Sequence, residues 1–198
     1  MGAPSRSGPW PPPGADIPAS GPSTEELAGA LASGVNCPLT SSAGRLFDSV
    51  AALVGLCSCA GYEAQGAIRL EAASDRGVRD CYSFGVVEEE APWVVDFGPT
   101  LRELVEDRTR GTEVGVVAAR FHNTVAAAVA DVCLRLSEKH GLVDVAVSGG
   151  VFQNRLLLTR LAGALESAGL SVYLNSLVPP NDGGLSLGQA AVAAARSG

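Results

Sequence analysis

A chain of 198 residues with a formal net charge of −7 and a single lysine, Lys139, is a poor match for nucleic-acid backbones, whose binders cluster Lys and Arg. Its 46% hydrophobic and 18% charged residues describe a chain that is globular over most of its length. No apolar run reads as a bilayer span, and five cysteines without paired spacing argue against a secreted disulfide framework and for free thiols in a reducing cytoplasm.

Residues 1–22 hold seven of the 12 prolines, a composition that cannot bury a core and reads as an extended tail. Ser23 or Thr24 caps a short helix to Ala32, and Ser42 caps a second from Ala43 to about Leu56, with Leu46, Phe47, Val50, Leu53 and Val54 on one side. A third helix fits Glu63 to Ser74. Val78 to Val87 reads as a strand, with Trp93 to Phe97 as its hairpin partner or a loop. Pro99 suits a helix start. Glu113 to His140 is the longest periodic segment, with Val117, Phe121, Val125, Val129, Val132 and Leu136 at helical spacing. Then come a strand (143–147), a helix (151–168), a strand (171–174) and a helix (183–196). The alternation predicts an α/β fold with a parallel core, with 1–35 as a tail and 36–198 as the folded domain.

Val147-Ser148-Gly149-Gly150-Val151-Phe152-Gln153-Asn154 carries the chemical signal. A strand ending in Ser-Gly-Gly and turning into a helix lets a ligand approach bare backbone, with helix N–H groups beside it. A nucleotide or phosphate site is one reading, and a tight turn without ligand is the other. Asn181-Asp182-Gly183-Gly184, at the next strand-to-helix junction, faces the same edge, where ligands gather in such sheets. Asn154 suits either a base or ribose contact or a helix cap. Asp182 suits either a turn or a cation. His122, beside Phe121 in the long helix, reads as a hydrogen-bonded packing residue, and His140 as a helix-end residue. Neither G-x-x-x-x-G-K-[ST], G-x-G-x-x-G nor G-x-S-x-G occurs. Cys57-Ser58-Cys59 is the only close cysteine pair, too little for a zinc site.

Together these words resemble one family. Asn36-Cys37-Pro38-Leu39-Thr40-Ser41-Ser42-Ala43-Gly44-Arg45-Leu46-Phe47-Asp48, then Tyr62-Glu63 with Gln65, Leu70 and Glu71, and Phe121-His122-Asn123-Thr124 are similar to the carbamoyltransferase HypF of NiFe-hydrogenase maturation. So are Ser148 to Asn154 and Val178-Pro179-Pro180-Asn181-Asp182-Gly183-Gly184 with Leu187-Gly188-Gln189. The resemblance covers residues 36 to 198 in the family's order.

It implies the C-terminal lobe of a TsaD-like domain: half of an actin/Hsp70-type (ASKHA, ribonuclease H-like) ATPase domain, a mixed sheet flanked by helices. The implied activity is transfer of a carbamoyl group from carbamoyl-adenylate, made from carbamoyl phosphate and ATP, to the C-terminal cysteine of the partner HypE. By the family's motifs, Asp48 and Glu71 hold the ribose, Gly149, Gly150 and Asn154 line the adenosine pocket, and Asp182 is the one divalent-metal ligand in this segment. Carboxylates do accept from ribose hydroxyls and bind phosphate-bridging cations. The family's paired metal-binding histidines lie in a first lobe that this sequence lacks, so no catalytic residue is assigned here. Ala64 stands where the family usually has glycine and Gly66 where it usually has alanine: either the added methyl at 64 crowds the nucleotide, or the two changes offset each other. Two functions follow: an enzyme piece completed by the missing first lobe and serving a HypE-like acceptor, or a catalytically inactive remnant that binds adenine nucleotide or a partner.

Overall fold

The computed structural model describes residues 23–35, 37–89 and 92–197. The extended-tail reading of 1–22 lies outside them, as does Asn36. Among the described residues, seven α-helices and four short strands follow in the order α1 (Thr24–Ser33), α2 (Ala43–Leu53), α3 (Gln65–Ala73), β1 (Gly85–Val87), β2 (Val94–Asp96), α4 (Gly98–Thr109), α5 (Val114–His140), β3 (Asp144–Val147), α6 (Arg155–Ser167), β4 (Ser171–Leu174) and α7 (Leu185–Ser197). The described residues divide into two compact units, the first ending at Leu70 and the second beginning at Glu71.

In the first unit, Ser23 caps α1 in a reciprocal box with Glu26, and Ser42 accepts from Arg45 N–H to start α2. Phe47, Val50 and Ala51 are the buried face of α2. Gly66 on α3 lies so close to α2 that a Cβ there would stand 2.8 Å from Asp48 Oδ1 and 3.2 Å from Ala51 Cβ. Ala64, just before α3, has φ 60°, the one positive-φ non-glycine residue among those described. Ala64 thus sits in a strained backbone conformation, while the missing Cβ at Gly66 leaves room for Asp48 Oδ1. Ala64→Gly is expected to stabilise the chain by about 0.5–1 kcal/mol, since removing a left-handed strain of ~1–2 kcal/mol outweighs the freedom given to the unfolded chain. A raised denaturation midpoint checks this, and an unchanged or lowered one contradicts it.

The second unit is built on α5. Its buried side runs from Val117 through Phe121 and Val125 to Ala128, and it stops at Gly141, which takes φ 68° and donates its N–H to Ser137 O. By length and composition alone α5 is long and apolar enough to span a bilayer, a run that the sequence reading did not single out as a span. However, 61% of its most apolar stretch is buried in the protein. His122, Asn123 and Thr124 at its centre are buried and hydrogen-bonded, as suits a core helix. α6 buries Leu156, Leu157, Leu161 and Leu165 and packs on α5.

Instead of one mixed sheet, the described residues form two separate ladders: β1 antiparallel to β2, and β3 parallel to β4 across α6, in register from Asp144–Ser171 to Val147–Leu174. The strand expected from Val78 shrinks to Gly85–Val87 because side chains take the backbone groups ahead of it. Asn123 Nδ2 donates to Val78 O and Asp80 O, Tyr82 N–H donates to Thr124 Oγ1, and Ser83 N–H to Glu103 Oε2. A 3₁₀ turn over Gly150–Gln153 precedes α6, and another over Asp182–Gly184 precedes α7. No residue of α7 is buried.

Candidate functional site

The two Gly-Gly turns meet. Gly149 N–H donates to Pro180 O at 2.9 Å, and a Cβ at Gly150 would sit 3.9 Å from Asn181 Cβ. Between the turns and α7 opens a cleft of about 870 Å³, lined by Ser148–Gly150, Pro179–Asp182, and the α7 residues Leu185, Gly188 and Val192. That volume is ample for a mononucleotide-sized ligand.

Both turns depend on glycine, one through its backbone conformation and the other through close packing. Gly149 takes φ 107° and ψ 156°, a region reached essentially only by glycine. At Gly184 a Cβ would meet Pro179 O at 2.8 Å and Val178 Cγ1 at 2.9 Å. Asn181 Oδ1 accepts from Gly183 N–H at 3.1 Å, an Asx turn that fixes the loop and leaves the exposed Asp182 at the rim of the cleft.

Asn154 and Glu71 are brought together elsewhere, behind the turn at the N-terminus of α6. Asn154 Oδ1 accepts from Leu157 N–H at 2.9 Å, and Glu71 Oε1 accepts from Leu156 N–H at 3.1 Å. The expectation of free helix N–H groups for an anion is thereby corrected, because two carbonyl-type oxygens of the chain already cap that end. A carboxylate there also suits the positive end of the helix dipole. Glu71 is thus a capping residue of α6.

The residue that sequence reasoning undervalued is His122. Fully buried on α5, it places Nδ1 2.7 Å from Ala118 O and Nε2 2.8 Å from Asn154 Nδ2. A carbonyl only accepts, so Nδ1 carries the proton and Nε2 accepts from the Asn154 amide. Burial holds the imidazole below its usual pKa, overcoming the opposing pull of Ala118 O and the Glu71 charge. Ser74 Oγ lies 3.3 Å from Nδ1, yet Nδ1 is protonated and Ser74 is 9% exposed, so the pair is no Ser–His nucleophile. The apolar neighbourhood of His122 was legible in the sequence, but its partners 32 and 48 positions away were not.

Asp48 belongs to the first unit, where its carboxylate lies against Gly66. Asp182 is a single carboxylate, and no group of three or more His, Cys, Asp or Glu suited to a metal occurs among the described residues. These residues do not by themselves make a metal centre. All five cysteines are free thiols.

Comparison with known proteins gives one answer. Residues 12–189 match the family model described as carbamoyltransferase, Kae1-like domain, second subdomain. The chain is 41% identical over 175 residues to the carbamoyltransferase HypF of Rhodobacter capsulatus, covering 86% of this chain and 22% of that protein. With the HypF of Synechocystis sp. it shares 36% identity over 154 residues, 77% of this chain and 19% of that protein. Among solved structures, a full-length HypF in a phosphate- and nucleotide-bound form superposes with a TM-score of 0.81 at 38% identity, over 86% of this chain and 23% of the other. The HypF of T. kodakarensis superposes with a TM-score of 0.72 at 26% identity, over 83% of this chain and 21% of the other. The chain thus spans about a fifth of the length of these relatives.

Proposed function

Because the chain belongs to the HypF carbamoyltransferase family, as the second subdomain of its Kae1-like domain, we propose that it is the adenine-nucleotide half of a carbamoyl-transfer site of the actin/Hsp70 (ASKHA) type. The observation that carries this reading is the cleft between the two glycine turns, in a chain similar to a HypF solved with nucleotide bound. Gly149 and Gly150 let the purine end of ATP or carbamoyl-adenylate lie against backbone. Asp48 of the first unit, and Glu71, which caps α6 behind the turn, carry the ribose role by resemblance to the family's motifs. Asn154 supports the pocket from behind, as the cap of α6. Asp182 would supply one oxygen ligand to a divalent cation, which would neutralise the phosphates, with the other ligands coming from outside this chain.

In the reaction, the C-terminal cysteine thiolate of a HypE-like acceptor attacks the carbamoyl carbon. The carbon–sulfur bond forms as the bond to the adenylate oxygen breaks and AMP leaves. Preorganised groups on both sides of the ligand are required for that step, and a first lobe supplies the others. The bare face of α7, with Leu185 58% and Leu187 57% exposed, supports cover by further protein, because a helix apolar on most sides is a buried helix in a complete domain. The isolated chain is expected to bind nucleotide without turnover, in keeping with a cytoplasmic enzyme piece.

Calorimetric titration tests the assignment. Asp182→Asn is expected to weaken ATP binding about tenfold with Mg²⁺ present and to leave metal-free ATP binding unchanged. An equal loss in both conditions makes Asp182 a structural turn residue. Absence of any ATP binding by the unaltered chain removes the nucleotide assignment.

A further inference from the structure

The Phe121-His122-Asn123-Thr124 stretch has no part in the chemistry above, yet its histidine is the hinge of the geometry. We propose that His122 is the positioning residue of the nucleotide-facing turn: by accepting from Asn154 it locks the one amide orientation that caps α6 and sets Ser148–Asn154 at the cleft. This rests on the nucleotide reading of that cleft.

Each link is fixed by donor–acceptor chemistry. Ala118 O can only accept, so the ring proton sits on Nδ1, 2.7 Å away. Nε2 is then a bare acceptor, and only the NH₂ side of the Asn154 amide can face it, at 2.8 Å. That orientation turns Oδ1 to Leu157 N–H, at 2.9 Å. The flipped amide would set oxygen against a bare ring nitrogen and NH₂ against an N–H, losing both bonds in a buried place. Asn154 also closes the 3₁₀ turn, its N–H donating to Val151 O at 3.1 Å. One tautomer of one histidine thus determines how the loop from Gly149 enters α6. Ser74 on the opposite side of the ring, and Glu71 beside it on the same helix end, hold the assembly from α3 and the segment after it.

Two substitutions separate the parts of the ring. His122→Gln puts an acceptor near the place of Nε2. His122→Asn retains a donor near Nδ1 but cannot reach Asn154. In the full chain, His122→Asn is expected to speed exchange of the Leu157 amide hydrogen and to weaken ATP binding, each about tenfold, while His122→Gln keeps both within about threefold. Equal behaviour of the two variants overturns the proposal, as does a Leu157 response with ATP affinity unchanged. If the unaltered chain binds no ATP, the nucleotide reading fails, and the Leu157 difference between the variants still decides whether His122 fixes the amide. Should His122→Asn not fold, imidazole ¹⁵N shifts of the unaltered chain take its place: protonated Nδ1 with bare Nε2 supports the proposal, and the opposite tautomer overturns it.

Discussion

Asn154→Ala is expected to destabilise the second unit by about 2–4 kcal/mol, more than an ordinary helix cap. The cap on Leu157 N–H is worth ~0.5–2 kcal/mol. The remainder comes from leaving His122 Nε2 buried without its donor, at ~1–3 kcal/mol. Asn154→Asp discriminates the two parts: it keeps an oxygen for the cap but brings a negative charge to a neutral imidazole. In the unaltered protein burial lowers the His122 pKa, so its share of stability is present above the unfolded value and is lost as pH falls through the folded one. In Asn154→Asp the new carboxylate raises the His122 pKa, and the sign reverses: the share is present below the unfolded value and is lost as pH rises through the folded one. Denaturation midpoints across pH measure both effects. A loss below about 1 kcal/mol for Asn154→Ala, within the range of the cap alone, contradicts the His122 link.

Arg120→Met is expected to cost about 2 kcal/mol. Arg120 Nη1 lies 2.7 Å from Asp107 Oδ2, with side chains 28% and 14% exposed, and Nη2 reaches Asp80 at 3.3 Å. The value falls between ~0.2–1 kcal/mol for an exposed pair and ~3–5 kcal/mol for breaking a buried one. The buried Tyr82 donates its hydroxyl to the same Asp107 oxygen at 2.9 Å. Burial pushes the Asp107 carboxyl up, but Tyr82 and Arg120 outweigh it and hold the group below its usual value. Its stabilisation is therefore present above the unfolded carboxyl pKa and lost as pH falls through the folded one. Without Arg120 the carboxyl rises, so acid unfolding begins at a higher pH. Identical acid profiles in both proteins would show that Arg120 does not hold Asp107 ionised.

The local features of the fold were written in local sequence. Ser42 and Gly141 mark the ends of α2 and α5 by capping chemistry alone, and 171–174 coincides with β4. What failed was nonlocal. Val78 to Phe84 has strand-like residues, but Asn123, Thr124 and Glu103 take its backbone groups, and no window of sequence contains both sides of those bonds. The same reason hid the capping of α6 by Glu71 from 85 positions away. At the candidate site, the two glycine pairs were legible because strand-to-helix turns at one sheet edge bring their backbone together. The division between residues at the cleft (Gly149, Gly150, Asp182) and residues behind it (Glu71, Asn154) was not, because a carboxylate or amide serves a ribose and a helix end equally well.

Adenine nucleotide is proposed to lie between the turns at 148–150 and 181–184, a placement that amide chemical-shift mapping of the chain with ATP puts to the test. Saturable shifts of Ser148, Gly149, Gly150, Asp182 and Gly184, lost when Gly184→Val closes the space against Pro179 O, are the predicted result. Saturating ATP that leaves these five amides unmoved would contradict it.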